Sequence, residues 1–220
     1  MPGQFPFEAV IFDMDGVIVD SEYAYAQEER AFLDAHGIDV PDEEIARTVG
    51  CSQETFRQTV VSWWERGGYG TLTPEEAIAR FNAWGESYVY DYRALMNPGV
   101  PETLAALRER GVRLALASSS PMDNIREVLG ACGIADAFEV VVSGEQFHKS
   151  KPNPEIYLHT CELLGLDPAV CCCVEDSPYG IEAGKRAGLT VFAKREERFG
   201  FSQDEADAII DAVPDLLALE

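Results

Sequence analysis

Positively charged residues are scarce in this sequence of 220 residues. Four lysines and thirteen arginines stand against 39 acidic residues, and the formal net charge is −22. Proteins that bind nucleic acids neutralise phosphates with clustered cations, so we expect no nucleic acid among the partners. The excess of acidic groups favours solubility. An acidic chain that binds a phosphate group needs a few well-placed cations, so the position of each lysine is informative.

Targeting and membrane signals are also missing. No apolar run approaches the ~20 residues that a helix needs to cross a bilayer. The first seven residues show neither the basic stretch nor the cleavage pattern of a signal peptide. We therefore expect a cytoplasmic protein without a membrane partner.

The six cysteines include no Cys-x-x-Cys pair, so zinc-binding and dithiol redox motifs of that kind are excluded. Three of them, Cys171 to Cys173, follow one another in an apolar run. Free cysteine packs as a small apolar side chain, and strands of parallel sheets are often buried on both faces. We interpret the run as a buried strand.

Residues 21–92, called the helical block below, carry helical patterns. Tyr23–His36 runs to Gly37 and Ser52–Arg66 runs to Gly67, and glycine is typical just after a helix. The segment that begins at Thr73 has a capping residue, a proline in the first turn and a glutamate at the third position. These patterns therefore predict that the block consists of several helices.

From Asn97 onward, short apolar runs alternate with punctuated helical segments. This alternation predicts a parallel sheet with crossover helices. The predicted strands are Ala9–Phe12, Val112–Ala117, Val140–Ser143, Ala169–Val174 and Thr190–Ala193. We predict an α/β fold: a Rossmann-like, doubly wound parallel sheet with an inserted α-helical cap domain. The core domain would comprise residues 1–20 and 93–220, and the cap residues 21–92.

The end of the first strand carries two carboxylates separated by one residue. In open α/β sheets, ligands bind at the carboxyl ends of the strands. Asp13 can attack phosphorus and bind a metal, and Asp15 can give a proton to a leaving group and take one from water. Gly16 allows a tight turn that brings backbone amides close to a phosphate. Taken alone, the same residues could form a solvated turn.

Polar residues follow three further strands. Ser118 to Ser120 suit an anion site or an ordinary helix cap. In the next loop we favour Lys151 over Lys149 as the partner of an anion, against the alternative of a solvated loop charge. Glu175 and Asp176 offer the hard oxygen ligands that Mg²⁺ prefers, with helix capping as the alternative. The four strand ends together contain the parts that phosphoryl transfer requires.

These motifs resemble those of the haloacid dehalogenase superfamily. The segment Asp13–Asp20, then Ser118, Lys151 and the pair Glu175-Asp176 match its four motifs in order, over nearly the whole chain. The helical block is similar to the family's small α-helical cap. The branch that the sequence resembles most holds β-phosphoglucomutases and sugar-phosphate phosphatases.

The resemblance implies an enzyme with Mg²⁺ as its cofactor. Asp13 would form an aspartyl-phosphate intermediate, with Asp15 as the general acid and base. The metal would be held by the Asp13 side chain, the Asp15 backbone carbonyl and Asp176, while Glu175 would act through a metal-bound water.

The resemblance also implies how the phosphate is bound. Ser118 and Lys151 would hold the transferring phosphoryl group. The predicted phosphate-binding set is completed by Met14 and by the backbone amides of Gly16 and Ser119.

Departures from the family patterns favour a phosphatase. The dehalogenases lack an acid/base at the position of Asp15, and the helical block has no lysine for a Schiff base of the phosphonoacetaldehyde hydrolase type. Where the mutases carry a histidine and an arginine, this sequence has Tyr25 and Gln53, so water is the favoured acceptor. The alternative is an isomerase that moves phosphate within a hexose. A non-catalytic phosphate-binding protein is disfavoured, because no catalytic position is replaced.

The charge of the helical block bears on the substrate. The block has fourteen acidic residues and five arginines, so we predict a neutral sugar or polyol with one phosphate as the partner of a monomer or weak homodimer. The exception would be an arginine that points inward, out of Arg30, Arg47, Arg57, Arg66 and Arg80. Glu22 either accepts a substrate hydroxyl or begins a helix. Hinges near Val19–Glu22 and Asn97–Gly99 would let the block close over the site.

Overall fold

A six-stranded parallel sheet forms the centre of the computed structural model, which describes residues 5–86 and 88–219. The strands are β1 (Ala9–Phe12), β2 (Arg113–Ser118), β3 (Val140–Ser143), β4 (Cys171–Glu175), β5 (Thr190–Lys194) and β6 (Ala208–Ile210). Their order is β3-β2-β1-β4-β5-β6, and all neighbours are parallel. The chain moves outward from β1 to β3 and then returns to the other side of β1. This topology confirms the predicted Rossmann-like fold and places the switch point between β1 and β4.

The boundaries of strands β2, β4 and β5 differ from the predicted ones, and β4 and β5 each end one residue later than expected, at Glu175 and Lys194. Strand β2 begins and ends one residue later than expected, so Ser118 is its last residue. Strand β4 begins only at Cys171, because Pro168–Val170 forms a 3₁₀ turn that the side chain of Asp167 caps. Strand β6 was not predicted. It has three residues at the sheet edge, and two of them are exposed, so no buried apolar run marks it.

The helices end largely where the sequence signals stand. Gly37, Gly165 and Gly188 each follow a helix in the left-handed conformation, and Thr73 forms the expected capping box. The helices are α1 (Ser21–His36), α2 (Asp42–Ile45), α3 (Gln53–Arg66), α4 (Pro74–Gly85), α5 (Tyr92–Leu95), α6 (Val100–Glu109), α7 (Met122–Cys132), α8 (Glu155–Leu164) and α9 (Pro178–Ala187). In the described part of the chain, no helix is long and apolar enough to cross a membrane.

Both faces of the sheet are buried. Successive side chains of a strand point to opposite faces, so Cys172 packs in the cluster on one face, and Cys171 and Cys173 pack in the cluster on the other. All three thiols are fully buried and free. The run of three cysteines is therefore part of the core, as predicted.

The helical block has its own hydrophobic cluster, built around Phe32, Trp63, Trp64 and Phe81. Phe32 makes edge-on contacts with the rings of Trp64 and Phe81, at centroid distances of 5.2 and 4.8 Å. Such pairs add to the free energy gained from burial of apolar area.

Two chain segments that run side by side connect the block to the sheet. Val19 and Met96 form an antiparallel bridge, and the Asp20 amide donates to the Leu95 carbonyl over 2.8 Å. The Asn97 side chain donates to the carbonyls of Gly16 and Val17. These hydrogen bonds fix where the block leaves the sheet.

Candidate active site

The register of the sheet brings the predicted site residues to one edge. Phe12 pairs with Leu116 on one side and Val174 on the other, and the Asp13 amide extends the ladder by donating to the Val174 carbonyl over 3.0 Å. Asp13 therefore leaves β1 between the last residues of β2 and β4. Those residues are Ser118 and Glu175.

Lys151 holds two acidic groups together at this edge. Its ammonium donates to Asp13 Oδ1 over 2.6 Å, to Glu175 Oε1 over 2.7 Å and to the Ala117 carbonyl over 3.0 Å. Its three protons are thus all used, and its side chain is 3 % exposed. Lys149 is exposed, so the preference for Lys151 over Lys149 matches the geometry.

The pKa values of Lys151 and Asp13 reflect their burial and the charges around them. Burial disfavours the Lys151 ammonium, but the charges of Asp13 and Glu175 outweigh it and hold the pKa of Lys151 above its ordinary value. Burial raises the pKa of Asp13 to about 8; Lys151 opposes this shift, while Glu175 and Asp15 add to it. A further positive charge beside Asp13 would favour its ionised form.

Three carboxylates form a cluster with the spacing of a metal site. Asp13, Glu175 and Asp176 each place one oxygen within 4.8 Å of the others. Glu175 Oε2 and Asp176 Oδ2 are buried and have no hydrogen-bond partner among the described residues. Burial, and then the charges of Asp13 and Glu175, hold the pKa of Asp176 well above its usual value. Buried oxygens without partners are costly, and a hard divalent cation fits this donor set.

Two glycines make room for these carboxylates. Gly16 has φ = +76°, and a Cβ atom there would lie 1.9 Å from Asp176 Oδ2. A Cβ atom at Gly180 in α9 would lie 1.9 Å from Glu175 Oε2. Only glycine fits either position without displacing a carboxylate.

Asp15 has a different environment from the cluster. Ser21 donates to its Oδ1 over 2.5 Å and Ser120 to its Oδ2 over 2.7 Å. Burial raises the pKa of Asp15, and the two hydroxyl groups oppose that shift. Its carboxylate is not a member of the three-carboxylate cluster. This separation suits a proton-transfer role for the side chain, with any metal contact left to its backbone carbonyl.

The residues predicted to bind phosphate differ in whether the structure places them beside the cavity. Ser118 is buried at the strand end, where its hydroxyl accepts from the Ser120 amide over 3.0 Å, and Ser119 lines the cavity described below. The Met14 side chain is fully buried in the core, so it could reach a ligand only through its backbone. The Gly16 amide donates to the Val19 carbonyl over 2.7 Å. The Gly16 amide is therefore not the phosphate donor that the sequence predicted. Because Gly16 has no side chain, it leaves room for the Asp176 carboxylate.

A cavity of about 380 Å³ opens in front of Asp13. Residues on its sheet side are Asp13, Asp15, Ser119, Ser120, Lys151 and Ser177. Polar residues on the helical-block side include Glu22, Tyr25, Glu28, Glu29, Thr48, Gln53, Arg57 and Asn82, and apolar ones include Phe56, Ile78 and Phe81. The cavity is thus lined by both parts of the chain, with reactive groups at one wall and mixed polarity at the other.

Comparison with known proteins decides the family. The model of the haloacid dehalogenase-like hydrolases matches residues 7–188. The chain belongs to the haloacid dehalogenase-like hydrolases. It is an enzyme of that family, as its motifs predicted.

Several named proteins are similar to this hydrolase. Hexitol phosphatase B of Escherichia coli K12 is 34% identical, and the match covers 82% of this chain and 80% of that protein. A phosphorylated carbohydrates phosphatase of Thermotoga maritima is 31% identical, with coverage of 83% and 82%. β-Phosphoglucomutase of Bacillus subtilis is 32% identical, with coverage of 83% and 80%. The crystal structure of β-phosphoglucomutase from Clostridium difficile has the same fold, with a TM-score of 0.75, 23% identity and coverage of 96% and 93%.

The position of Glu22 in the hydrolase is compatible with both alternatives that the sequence left open. It lies in the first turn of α1, and it also lines the cavity. Its Oε1 accepts from the Gly50 amide over 2.9 Å. Burial, then the charges of Asp176 and Asp15, hold the pKa of Glu22 well above its usual value. A protonated Glu22 can donate a hydrogen bond as well as accept one.

One arginine of the helical block does face the cavity. Arg30 pairs with Asp42 and Arg66 with Glu44, on the outside of the block. Arg57 lines the cavity, and it has no ion-pair partner within 4.0 Å among the described residues. The predicted shortage of cations around the substrate therefore has one exception.

Sequence reasoning missed Tyr157. Its hydroxyl donates to Glu175 Oε1, and the Lys151 ammonium lies 5.0 Å from the centre of its ring. Tyr157 is fully buried in the first turns of α8, directly after the loop that carries Lys151. That proximity along the chain was the one signal for it.

Proposed function

We propose that this hydrolase is a Mg²⁺-dependent phosphatase that cleaves sugar or polyol monophosphates through an aspartyl-phosphate on Asp13. The observation that carries the proposal is the meeting of three features at Asp13. Lys151 donates to its Oδ1, and Asp15 is held separately by two hydroxyls. In the part of the chain that the structure describes, the buried Glu175 Oε2 and Asp176 Oδ2 of the same cluster have no hydrogen-bond partner.

In the proposed first step, an oxygen of the Asp13 carboxylate attacks phosphorus and the bond to the substrate oxygen breaks. Asp15 donates a proton to that leaving oxygen, for which its raised pKa is suited. In the second step, Asp15 takes a proton from water, and that water displaces Asp13 from phosphorus. The products are the free alcohol and inorganic phosphate.

Asp13, Asp176 and the backbone of Asp15 would hold Mg²⁺, with Glu175 acting through water. When bound, the ion would neutralise charge on the phosphoryl oxygens and favour the ionised form of Asp13. Lys151 and Ser118 would contact the same oxygens, with the backbones of Met14 and Ser119 as further donors. Tyr157 and Lys151 together fix the Glu175 carboxylate.

Residues 21–92 would form the cap domain of this enzyme, over a core of residues 1–20 and 93–220. The cap wall contributes hydroxyl, amide and carboxyl groups such as Thr48, Asn82 and Glu22 to the cavity, and these suit the hydroxyls of a polyol. Two similar proteins are named for hexitols and phosphorylated carbohydrates. We expect a small cytoplasmic metabolite, rather than a nucleic acid or a membrane lipid, as the substrate of a monomer or weak homodimer.

Arg57 favours one second candidate. The Arg57 guanidinium has no ion-pair partner within residues 5–86 and 88–219, so in the cavity it could bind a second anionic group. Such a group is needed for an isomerase that passes phosphate through a bisphosphate. Tyr25 and Gln53 line the same cavity. On this reading, Arg57 would replace the arginine that the mutases carry at the position of Gln53.

A panel of hexitol, pentitol and hexose phosphates with Mg²⁺ separates the two candidates. Free phosphate and isomerised sugar phosphate are measured separately in each reaction. The phosphatase proposal expects stoichiometric free phosphate, and isomerisation without phosphate release would overturn it. Asp13→Asn should lower turnover at least ~10³-fold on every substrate, since it removes the nucleophile itself.

A further inference from the structure

The first part of the loop between β5 and β6, residues 195–203, contacts both the helical block and the backbone of Asp176 in the carboxylate cluster. We call it the strap. It starts after Lys194 at the carboxyl end of β5, beside the candidate site, and none of the motifs in the sequence pointed to it.

Arg198 of the strap binds the hinge of the helical block. Its two terminal nitrogens donate to Asp20 over 2.9 and 2.6 Å, and its Nε donates to Glu196 over 2.9 Å. Asp20 occupies the capping position of α1, yet its side chain caps no amide there. Its carboxylate is committed to Arg198 instead. A bidentate arginine–carboxylate pair fixes the relative orientation of the two side chains as well as the distance between them.

Contacts with aromatic rings also join the strap to the helical block. The Arg198 guanidinium lies 4.6 Å from the centre of the Tyr23 ring in α1, within the range of a cation–π contact. Phe199 packs against the aromatic cluster of the helical block. The strap thus contacts the block through a charge pair, a ring and a hydrophobic side chain.

Gln203 anchors the other end of the strap. Its Nε2 donates to the Asp176 carbonyl over 2.6 Å and to the Lys194 carbonyl over 2.8 Å, and its Oε1 accepts from the Glu196 amide over 3.0 Å. Glu196 and Gln203 are each 6 % exposed. A continuous chain of polar contacts therefore runs from Asp20 through Arg198, Glu196 and Gln203 to Asp176.

We propose that the strap holds the helical block over the site and that Arg198 is the positioning residue at its hinge. Loss of Arg198 frees the segments around Asp20 and Asn97 and lets the block move away from Asp13. Substrate then binds less tightly, while the chemistry at Asp13 is unchanged once the site has closed. The kinetic consequence rests on the proposed phosphatase function, but the effect on the hinge does not.

The test compares Arg198→Leu with Arg195→Leu, its matched control. Arg195 is an exposed arginine of the same strap that pairs with Asp211 and Glu197, away from the helical block. Both variants lose one positive charge near the site. Hydrogen exchange is followed at the Asp20 and Asn97 amides, which donate across the two connecting segments. We expect faster exchange at both amides in Arg198→Leu and no change in Arg195→Leu.

Kinetics with para-nitrophenyl phosphate and Mg²⁺ supply the second readout. Since the Asp20 pair is partly exposed, its loss should raise KM about fivefold with kcat within about twofold of the parent. Arg198→Lys should recover part of the effect. Asp20→Asn combined with Arg198→Leu should be no worse than Arg198→Leu alone, because Arg198→Leu already removes the ion pair with Asp20.

The outcomes separate the two proposals. Unchanged exchange at Asp20 and Asn97 in folded Arg198→Leu would overturn the role of the strap, whatever the enzyme hydrolyses. A fall in kcat with KM unchanged would also overturn it. A parent enzyme that releases no phosphate from any substrate would refute the phosphatase and leave the exchange result valid. Thermal unfolding of each variant identifies any that fails to fold, and Asp20→Asn then takes the place of Arg198→Leu.

Discussion

Ser21, the first residue of α1, donates a hydrogen bond to Oδ1 of Asp15 over 2.5 Å. The candidate acid of the core is therefore held by a residue of the helical block. Ser120 donates to the other oxygen of Asp15 from the loop after β2. The position of the block and the orientation of the Asp15 carboxylate are therefore linked through the hydrogen bond from Ser21.

Removal of a hydroxyl from Asp15 should move the pH profile upward. Burial raises the pKa of Asp15, and the hydrogen bonds from Ser21 and Ser120 oppose this rise because they favour the ionised form. In Ser120→Ala the pKa of Asp15 rises, so it stays protonated for the first step to higher pH and becomes a base for the second step only at higher pH. The alkaline limb of the kcat/KM profile, which reports the first step, should shift to higher pH. The acidic limb of the kcat profile should shift in the same direction where hydrolysis of the aspartyl-phosphate limits turnover. Ser62→Ala on the exposed face of α3 should leave the profile unchanged, and a downward shift in Ser120→Ala would contradict the assignment of Asp15.

Loss of Lys151 should destabilise the fold far more than loss of Lys149. Lys151→Met leaves Asp13 and Glu175 buried without their cation, and breaking a buried pair costs about 3–5 kcal/mol. Lys149 is exposed, so Lys149→Met should change the free energy of unfolding by less than about 0.5 kcal/mol. Urea unfolding in the absence of Mg²⁺ measures both. Equal effects of the two substitutions would argue against the buried ion pairs.

Added Mg²⁺ should raise the melting temperature, and more so at higher pH. Metal ligands have to be deprotonated, and burial raises the pKa of Asp13 to about 8 and that of Asp176 well above its usual value. Protons therefore compete with the metal at about pH 6.5 and much less at about pH 8.5. Asp176→Asn should abolish the shift and the exposed Asp204→Asn should keep it. Calorimetric scans with Mg²⁺ and with chelator test this, and a metal effect that weakens as the pH rises would count against the site.

Glu29 should lower stability at neutral and alkaline pH. Burial raises the pKa of Glu29 to about 8, although both its oxygens accept from the Thr48 hydroxyl. The folded state thus holds a proton that the unfolded state loses near pH 4.5, so the contribution of Glu29 to stability falls as pH rises between these values. Glu29→Gln should be the more stable protein above about pH 8, with a smaller difference below pH 5. The exposed Glu43→Gln is the control, and unfolding curves across pH that stay parallel for Glu29→Gln and the parent would contradict the shift.

Much of the fold could be predicted from the sequence, because buried parallel strands and helix ends have recognisable local sequence patterns. Apolar runs marked five strands, and Gly37, Gly165 and Gly188 marked helix ends by conformational necessity. Strand β6 left no such signal, since its place at the sheet edge comes from pairing with β5 and its residues are mostly exposed. The topology followed from the alternation of elements, because parallel strands require crossover connections.

The site was predictable mainly where its residues stand directly at strand ends. Asp13, Ser118 and Glu175 belong to that class, whereas Lys151 lies eight residues after the end of β3 and was predicted because lysine is scarce in this sequence. Tyr157 reaches Glu175 from within a helix, and Ser21 reaches Asp15 from the helical block, so both depend on packing between elements that are distant in the chain. The Gly16 amide was misassigned because its turn satisfies it internally, through Val19.

The proposed mechanism requires Asp13 to carry the phosphoryl group. Asp15→Ala should accumulate that intermediate, since it cannot activate water, provided that the donor has a good leaving group such as that of acetyl phosphate. Mass spectrometry of the quenched protein measures it directly. We expect one phosphoryl group per chain, mapped to the peptide that contains Asp13, and none in Asp13→Asn. A phosphoryl group on another residue would contradict this role of Asp13. So would turnover by the parent enzyme when Asp15→Ala traps no phosphoryl group on Asp13.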